Sequence, residues 1–269
     1  MNGPERGRLD ASSVVSTGSL VRIDRWTLRT HKQEVSERPP DGLYLRVGKR
    51  ILDVLGASVG LLIASPILLL CVVAIGLDSG TPFFYRQWRV GLRGKPFQII
   101  KFRTMRLGAD KQGSRLTASG DARITKVGRL LRKAKLDEIP QLLNVLRGEM
   151  SLVGPRPEVP EYAAHYTSEE RNVLEVKPGI TGSASVAYID EERLLAEHPD
   201  KENFYVRTVM RQKLLVDLAY CRTVSFFEDL RIMFLTFGAL VAPRVALRLA
   251  RADGPGNRFD TAHHHPHAA

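Results

Sequence analysis

Residues 132–142 read Arg-Lys-Ala-Lys-Leu-Asp-Glu-Ile-Pro-Gln-Leu, two adjacent carboxylates directly after three cations. Pro140 is tolerated only in the first turn of a helix, which puts Asp137 or Glu138 at or beside its N-cap. The helix is predicted to run from about Glu138 to Arg147, with Gly148 stopping it. Unpaired N–H groups and the positive end of the helix dipole favour ionised carboxylates there. A carboxylate whose pKa is depressed in this way is available as a nucleophile, and its neighbour offers hard oxygen to Mg²⁺. Arg132, Lys133 and Lys135 supply fixed positive charge for a phosphate. An isolated Asp-Glu pair is more often a plain cap and first-turn acid, so the pair by itself decides nothing.

Three further segments carry candidate ligand groups. In Pro155-Arg156-Pro157 two prolines stiffen the backbone on either side of Arg156. A fork held that way can bind phosphate or a uracil carbonyl at little entropic cost, though a rigid linker has the same pattern. Lys101-Phe102-Arg103 follows a β-prone run, so both cations are expected on one face of an extended segment and the phenyl ring on the other. Lys177-Pro178-Gly179-Ile180-Thr181-Gly182 is a turn whose glycines let backbone N–H groups approach a ligand; termination of a helix explains it nearly as well.

These groups sit in a strongly asymmetric charge map. The 269 residues carry a net charge of +11, which points to an anionic partner: nucleic acid, a membrane surface or a phosphorylated ligand. Between Ser79 and Lys135 there are fifteen Lys/Arg against Asp110 and Asp121, so the anion-facing surface is expected there. A composition of 43% hydrophobic and 26% charged residues excludes wholesale disorder, collagen-like repeats and a polytopic membrane protein. Two cysteines exclude a disulfide scaffold and indicate a reducing compartment. There is no Walker-type or GxGxxG phosphate loop and no zinc spacing.

The element that must place this chemistry is the apolar run Val54–Leu77, uncharged over 24 residues and bounded by Asp53 and Asp78. As a straight helix it would be about 36 Å long, enough to cross a hydrocarbon core of about 30 Å. Pro66 in its middle deletes one backbone hydrogen bond and presses on the carbonyl of Leu62, and Ser65 beside it can re-satisfy a freed carbonyl. Basic residues flank both ends, including Arg46, Lys49 and Arg50, whereas a single crossing keeps its excess on one side. Those residues alone leave two arrangements open, a kinked span and a helix that dips in and returns.

Elsewhere, residues 1–42 read as a mobile leader and 252–269 as an unfolded polar tail. Short strands are expected at 83–85 and 96–100, separated by Gly91 and Gly94, and helices at 124–131, 161–177 and 202–220. Phe226–Val241 is apolar but contains Glu228, Asp229 and Arg231, which suits an in-plane amphipathic helix or a packed core helix equally.

In order, the basic and apolar segment with Ser65-Pro66, KFRTM (101–105), LDEIPQLLNVLRGEMSLVGPRP (136–157), KPGITG (177–182) and DLAYCRTVSFFEDLRI (217–232) resemble the bacterial sugar transferase family. These are monotopic phosphoglycosyl transferases that initiate exopolysaccharide and glycoconjugate assembly, and the resemblance covers roughly residues 44–242. The fold expected is α+β and mainly helical: a disordered leader (1–43), a re-entrant membrane helix broken at Ser65-Pro66 (44–80), a membrane-docked catalytic domain ending in an in-plane amphipathic helix (81–243), and a basic then disordered tail (244–269). The resemblance implies transfer of a sugar 1-phosphate from a UDP-sugar to undecaprenyl phosphate, with release of UMP. Asp137 matches the family nucleophile, which forms a covalent phosphosugar–aspartyl intermediate, and Glu138 matches the Mg²⁺-binding partner. Arg132 and Arg156 match basic positions near the phosphates; Lys101, Arg103 and Lys177 complete the candidate phosphate and nucleotide set. The implied location is the cytoplasmic face of a bacterial inner membrane, with the bilayer as partner, no nucleic acid, and self-association compatible with it.

This chain departs from the family at Lys135, where Ser or Thr is common, and at Glu149, where Asp is common. After KPGITG it reads Ser-Ala-Ser, then Asp190-Glu191-Glu192-Arg193 and an insertion-like segment to Asn203, onto which the resemblance carries no substrate contacts. Two rivals remain on sequence grounds. A non-catalytic membrane protein binding anionic lipid or nucleic acid explains the charge but not the ordered motifs, and the basic block has few aromatics to stack on bases. A nucleotide-sugar hydrolase leaves the apolar helix without a purpose.

Overall fold

The computed structural model describes residues 42–109, 116–117 and 120–241; the leader, apart from its last two residues, and the tail expected beyond Pro243 lie outside them. The fold is α+β and mainly helical, with two small two-stranded sheets. Helix α1 (Lys49–Ser79) continues a π-helical turn at Tyr44–Gly48. An antiparallel hairpin follows, β1 (Phe84–Val90) and β2 (Pro96–Phe102). Next come α2 (Lys126–Lys133), a 3₁₀ segment at Leu136–Gln141 and α3 (Leu142–Arg147). Strand β3 (Ser151–Val153) pairs in parallel with β4 (Gly179–Thr181), and α4 (Pro160–Ala163) lies between them in sequence. The chain closes with α5 (Ser183–Ala187), α6 (Glu191–Ala196), α7 (Lys201–Phe204), α8 (Met210–Thr223) and α9 (Phe226–Val241).

Helix α1, with the turn before it, is long and apolar enough to cross a membrane. Helical pairing continues through Ser65-Pro66, so the expected interruption is absent as a break in secondary structure. The reason is local: Ser65 Oγ donates to the Leu62 carbonyl at 2.8 Å, the acceptor that Pro66 leaves without its N–H. One face of α1 packs on the rest of the protein near both ends. Ala57 joins Phe97, Ile99, Val145 and Met150, while Cys71 and Ile75 join Phe102 and Leu131. The opposite face leaves Leu55, Leu62, Ile63, Leu69, Leu70 and Leu77 exposed.

Polar bonds fix the two ends of α1. At the first, Lys49 pairs with buried Asp229 of α9, and Asp53 accepts from Ser151 Oγ and Leu152 N, both at 2.8 Å. At the second, Asp78 accepts from Val127 N at 3.1 Å, and Arg103 binds the carbonyls of Ser79 (2.7 Å) and Gly80 (2.6 Å).

The hairpin and the 136–147 segment are joined through Asn144, which is fully buried. Its side chain accepts from Ile100 N at 3.0 Å and donates to Gln98 O and Glu149 Oε2, both at 2.7 Å. A polar side chain with every group satisfied in this way fixes register, here setting β2 beside the Asp137 segment. Glycine has a different use at 154 and 179. A Cβ on Gly179 would lie 2.1 Å from Gly154 N, so the loop after β3 can lie against β4 only if both positions lack side chains.

The helix expected over 161–177 is instead two short turns, α4 and a 3₁₀ segment at Glu170–Glu175. Thr167 and Glu170 form a reciprocal capping box between them (2.7 and 3.2 Å), which starts a new turn and ends the old one. The helix expected over 202–220 is present from Lys201 to Thr223, with a π-helical turn at Tyr205–Val209. Helix α9 has both characters allowed for it: Asp229, Ile232 and Ala239 are buried, while Phe227, Phe234 and Phe237 are 79%, 68% and 68% exposed.

Candidate active site

A cleft of about 1030 Å³ lies between the hairpin, the 132–138 segment, the 156–162 loop and α6. Arg86, Arg89, Lys101, Arg103, Arg106, Arg123, Arg132 and Lys135 all line it, so much of the basic block from 79 to 135 faces one concave surface. Among the described residues ten Lys/Arg against six Asp/Glu line it, and a low-dielectric wall with that positive excess concentrates anions. Pro82, Phe84 and Arg103 bring the C-terminal end of α1 into the same wall.

Asp137 and Glu138 stand at the floor, and the backbone explains how they get there. Lys135 adopts φ +56°, a left-handed turn uncommon for a side-chain-bearing residue, and the 3₁₀ turn begins immediately after it. Glu138 is held from two directions. Lys101 Nζ from β2 reaches Oε1 at 2.7 Å; from the proline-flanked loop, Arg156 reaches Oε1 at 2.5 Å and Oε2 at 3.2 Å. Asp137 is 7% exposed, and among the described residues no hydrogen bond or ion pair reaches its carboxylate.

The two neighbours therefore titrate in opposite directions. Burial works against a charged Glu138, but Arg156 and Lys101 outweigh it and hold the carboxyl well below the usual range. Burial pushes Asp137 up, the negative charge of Glu138 adds to that, and Lys101, Arg132 and Lys135 oppose it. This corrects the expectation that a helix start depresses Asp137. Desolvation and a like charge one residue away exceed the effect of a dipole belonging to a single 3₁₀ turn. Arg156 is raised by the charge of Glu138, and Lys101 is lowered by burial despite that same charge.

Of the predicted set, Asp137, Glu138, Lys101, Arg132 and Arg156 come together around this floor. Phe102 does turn to the opposite side from Lys101, into the core with Ile75 and Leu131. Arg103 lines the cleft but spends Nη2 on the last turn of α1, and among the described residues its buried Nε and Nη1 have no partner. Lys177 lies elsewhere: it does not line the cleft, and the charges around it are Arg50, Asp53 and Lys49, at the N-terminal end of α1. Pairing of β3 with β4 carries the 177–182 turn to that end, and its glycines serve backbone packing.

Three groups at the cleft were not singled out from sequence. Arg89 donates to Pro157 O at 3.1 Å and lies 3.5 Å from Glu158, which accepts from the Tyr205 hydroxyl at 2.5 Å. In β1 Arg89 shares the inward face with Tyr85 and Gln87 while the apolar Phe84 and Trp88 face outward, the reverse of what alternation in the sequence suggests. Lys213 of α8 and Glu191 of α6, paired at 2.6 Å, lie outside the quoted motifs and are brought together only by the fold.

Among the described residues no group of three or more His, Cys, Asp or Glu forms a metal cage. Mg²⁺ does not need one, because it keeps waters and takes one or two carboxylates together with substrate phosphates. Asp137 and Glu138 Oε2, which accepts one long bond, fit that donor set.

Comparison with known proteins agrees with this geometry. The bacterial sugar transferase family matches residues 44–243. A UDP-glucose:undecaprenyl-phosphate glucose-1-phosphate transferase of Caulobacter vibrioides is 41% identical over 204 residues, 72% of this chain and 69% of that protein. The uncharacterized sugar transferase EpsL of Bacillus subtilis is 41% identical over 188 residues, 70% of this chain and 84% of that protein. A UDP-N-acetylgalactosamine-undecaprenyl-phosphate N-acetylgalactosaminephosphotransferase of Aeromonas hydrophila is 32% identical over 231 residues, 82% of this chain and 49% of that longer protein. The match over residues 44–243, which hold both the apolar helix and the cationic cleft, places the chain in the bacterial sugar transferase family as a membrane-associated transferase.

Proposed function

We propose that this protein moves a sugar 1-phosphate from a UDP-sugar to undecaprenyl phosphate through a covalent intermediate on Asp137. The observation that carries the reading is the pair of unlike carboxylates: Glu138 is held by Lys101 and Arg156, while Asp137 faces the cleft with no hydrogen bond or ion pair among the described residues. An Asp137 oxygen attacks the phosphorus that bears the sugar. A carboxylate–phosphorus bond forms, the bond to the UMP oxygen breaks with its electron pair, and UMP leaves. An oxygen of the lipid phosphate then attacks the same phosphorus, and the Asp137 carboxylate departs unchanged.

The residues around it have separate tasks. Arg156, Lys101 and Arg132 offset the donor's negative charge so that an anionic nucleophile can approach phosphorus. Burial of Asp137 makes its oxygen a better nucleophile, at the cost of a higher pH for ionisation. When bound at Asp137 and Glu138, Mg²⁺ would neutralise further diphosphate charge.

Both ends of α1 are tied to the one body that also holds the cleft. A helix crossing the bilayer would need its ends on opposite sides, so this attachment supports a re-entrant insertion, with the catalytic domain on the cytoplasmic face. The exposed leucines of α1 and phenylalanines of α9 are suited to the bilayer. Relatives of comparable identity carry different sugars in their names, so the proposal extends to the reaction class and stops short of the sugar.

The test is UMP release from labelled UDP-sugars by the purified protein, with and without undecaprenyl phosphate. Release that depends on the lipid supports the transferase. Turnover without lipid would mean a hydrolase, and no turnover with any donor a binding protein. In the same assay Glu138→Gln is expected to weaken the response to Mg²⁺.

A further inference from the structure

The charged stretch Asp190-Glu191-Glu192-Arg193, which departs from the family pattern, folds onto the cleft. Glu191 and Glu192 of α6 both line it. Glu192 closes a short ion pair with Nη2 of Arg132, sixty residues earlier in sequence. Arg132 is one of the cations whose charge reaches Asp137, so its guanidinium belongs to the floor where a donor phosphate would sit. Its side chain is 22% exposed, against 47% for that of Glu192.

The geometry points to Glu192 as an internal competitor for the donor's phosphate at Arg132, an inference that rests on reading the cleft as a nucleotide-sugar site. Glu192 is the partner able to leave. It is half-exposed, and pairs of that kind are weak because water solvates the freed carboxylate well. Its neighbour Glu191 is fixed at 2.6 Å to Lys213, a largely buried ammonium set 5.4 Å from the Tyr205 ring, so α6 keeps its attachment when Glu192 lets go. The two phosphates of the donor together bring more charge than one carboxylate and accept from Arg in the same forked geometry, so a diphosphate donor displaces Glu192. After the donor is split, Glu192 competes with the leaving nucleotide for the same guanidinium and hastens its departure.

The test is equilibrium titration with UMP and Mg²⁺ of the full-length protein in nanodiscs of phosphatidylethanolamine and phosphatidylglycerol. Glu192→Gln is expected to tighten UMP binding by about two- to fivefold, the range spanned by partly exposed ion pairs. Glu197→Gln, an exposed glutamate after the last turn of α6 that lies 3.8 Å from Arg193, controls for general charge and should leave UMP binding as it was. In an Arg132→Ala background the Glu192→Gln gain should vanish. Unchanged or weaker binding by Glu192→Gln, or an equal gain without Arg132, would overturn the inference. The titration involves no turnover, so a protein that binds UMP as described but fails to release it from UDP-sugars would sink the transferase reading alone.

Discussion

Two buried charge clusters in this molecule look alike in composition and differ in completeness. At the N-terminal end of α1, Asp229 receives Lys49, the Tyr44 hydroxyl at 2.5 Å and the Tyr220 hydroxyl at 2.6 Å, so both its oxygens are engaged. At the cleft, Lys101 and Arg156 converge on Glu138, and among the described residues none pairs with Asp137 beside it. The first cluster is a fastener that ties α1 to α9. The second holds one carboxylate still so that another can react. Burial alone therefore does not mark a functional acid in this fold; burial with an unspent carboxylate on a cationic cleft does.

Substitutions at the two aspartates should separate these roles. Asp137→Asn is expected to lower transfer on the order of 10⁴-fold or more, as loss of a nucleophile does, and to leave the fold intact. Its effect on stability follows from the direction of its pKa. A carboxyl raised in the folded state takes up protons more readily there than when unfolded, so ionised Asp137 costs stability as pH rises through its folded value. The Asn variant should therefore be at least as stable as wild type at neutral pH, with the gap closing below the ordinary aspartate range. Denaturant melts across pH measure this. Transfer by wild type should, for the same reason, fall on acidification at a higher pH than an ordinary aspartate would give.

Asp229→Asn should behave in the opposite way. It removes the carboxylate paired with buried Lys49, and breaking such a pair costs about 3–5 kcal/mol, read as a loss in denaturant midpoint. Equal activity losses in both variants without the stability difference would remove the distinction between fastener and nucleophile.

The smallest expected effect is at Lys135, whose left-handed φ of +56° costs on the order of 1 kcal/mol. Lys135→Gly should recover about that much stability in the same melts. It should also raise the pH at which transfer falls, since one of the charges favouring ionised Asp137 is gone.

What the sequence disclosed was chiefly local. The apolar run, the helix over 202–220 and the Asp137-Glu138 pair beside Pro140 are encoded within a few residues and found where expected, whereas the helix expected from Glu138 is 3₁₀ as far as Gln141. The capping box of Thr167 and Glu170 is equally local, and it divides the segment that helical spacing alone reads as one longer helix. Other features are tertiary and have no local trace. Whether Asp137 is raised or depressed depends on burial and on neighbours from three segments. That Arg103 closes the last turn of α1, and that Lys177 belongs to its other end, depends on where strands and loops deliver them. The pair between Arg132 and Glu192 joins a motif to a segment outside every motif.

The central claim is that Asp137 carries the phosphosugar. The most direct measurement is mass spectrometry of the protein after incubation with a UDP-sugar and Mg²⁺ in the absence of lipid. A sugar-phosphate adduct on the peptide containing Asp137, formed with about one equivalent of UMP and discharged by undecaprenyl phosphate, is the predicted result. Full lipid-dependent transfer by a preparation in which that peptide never gains mass would contradict it.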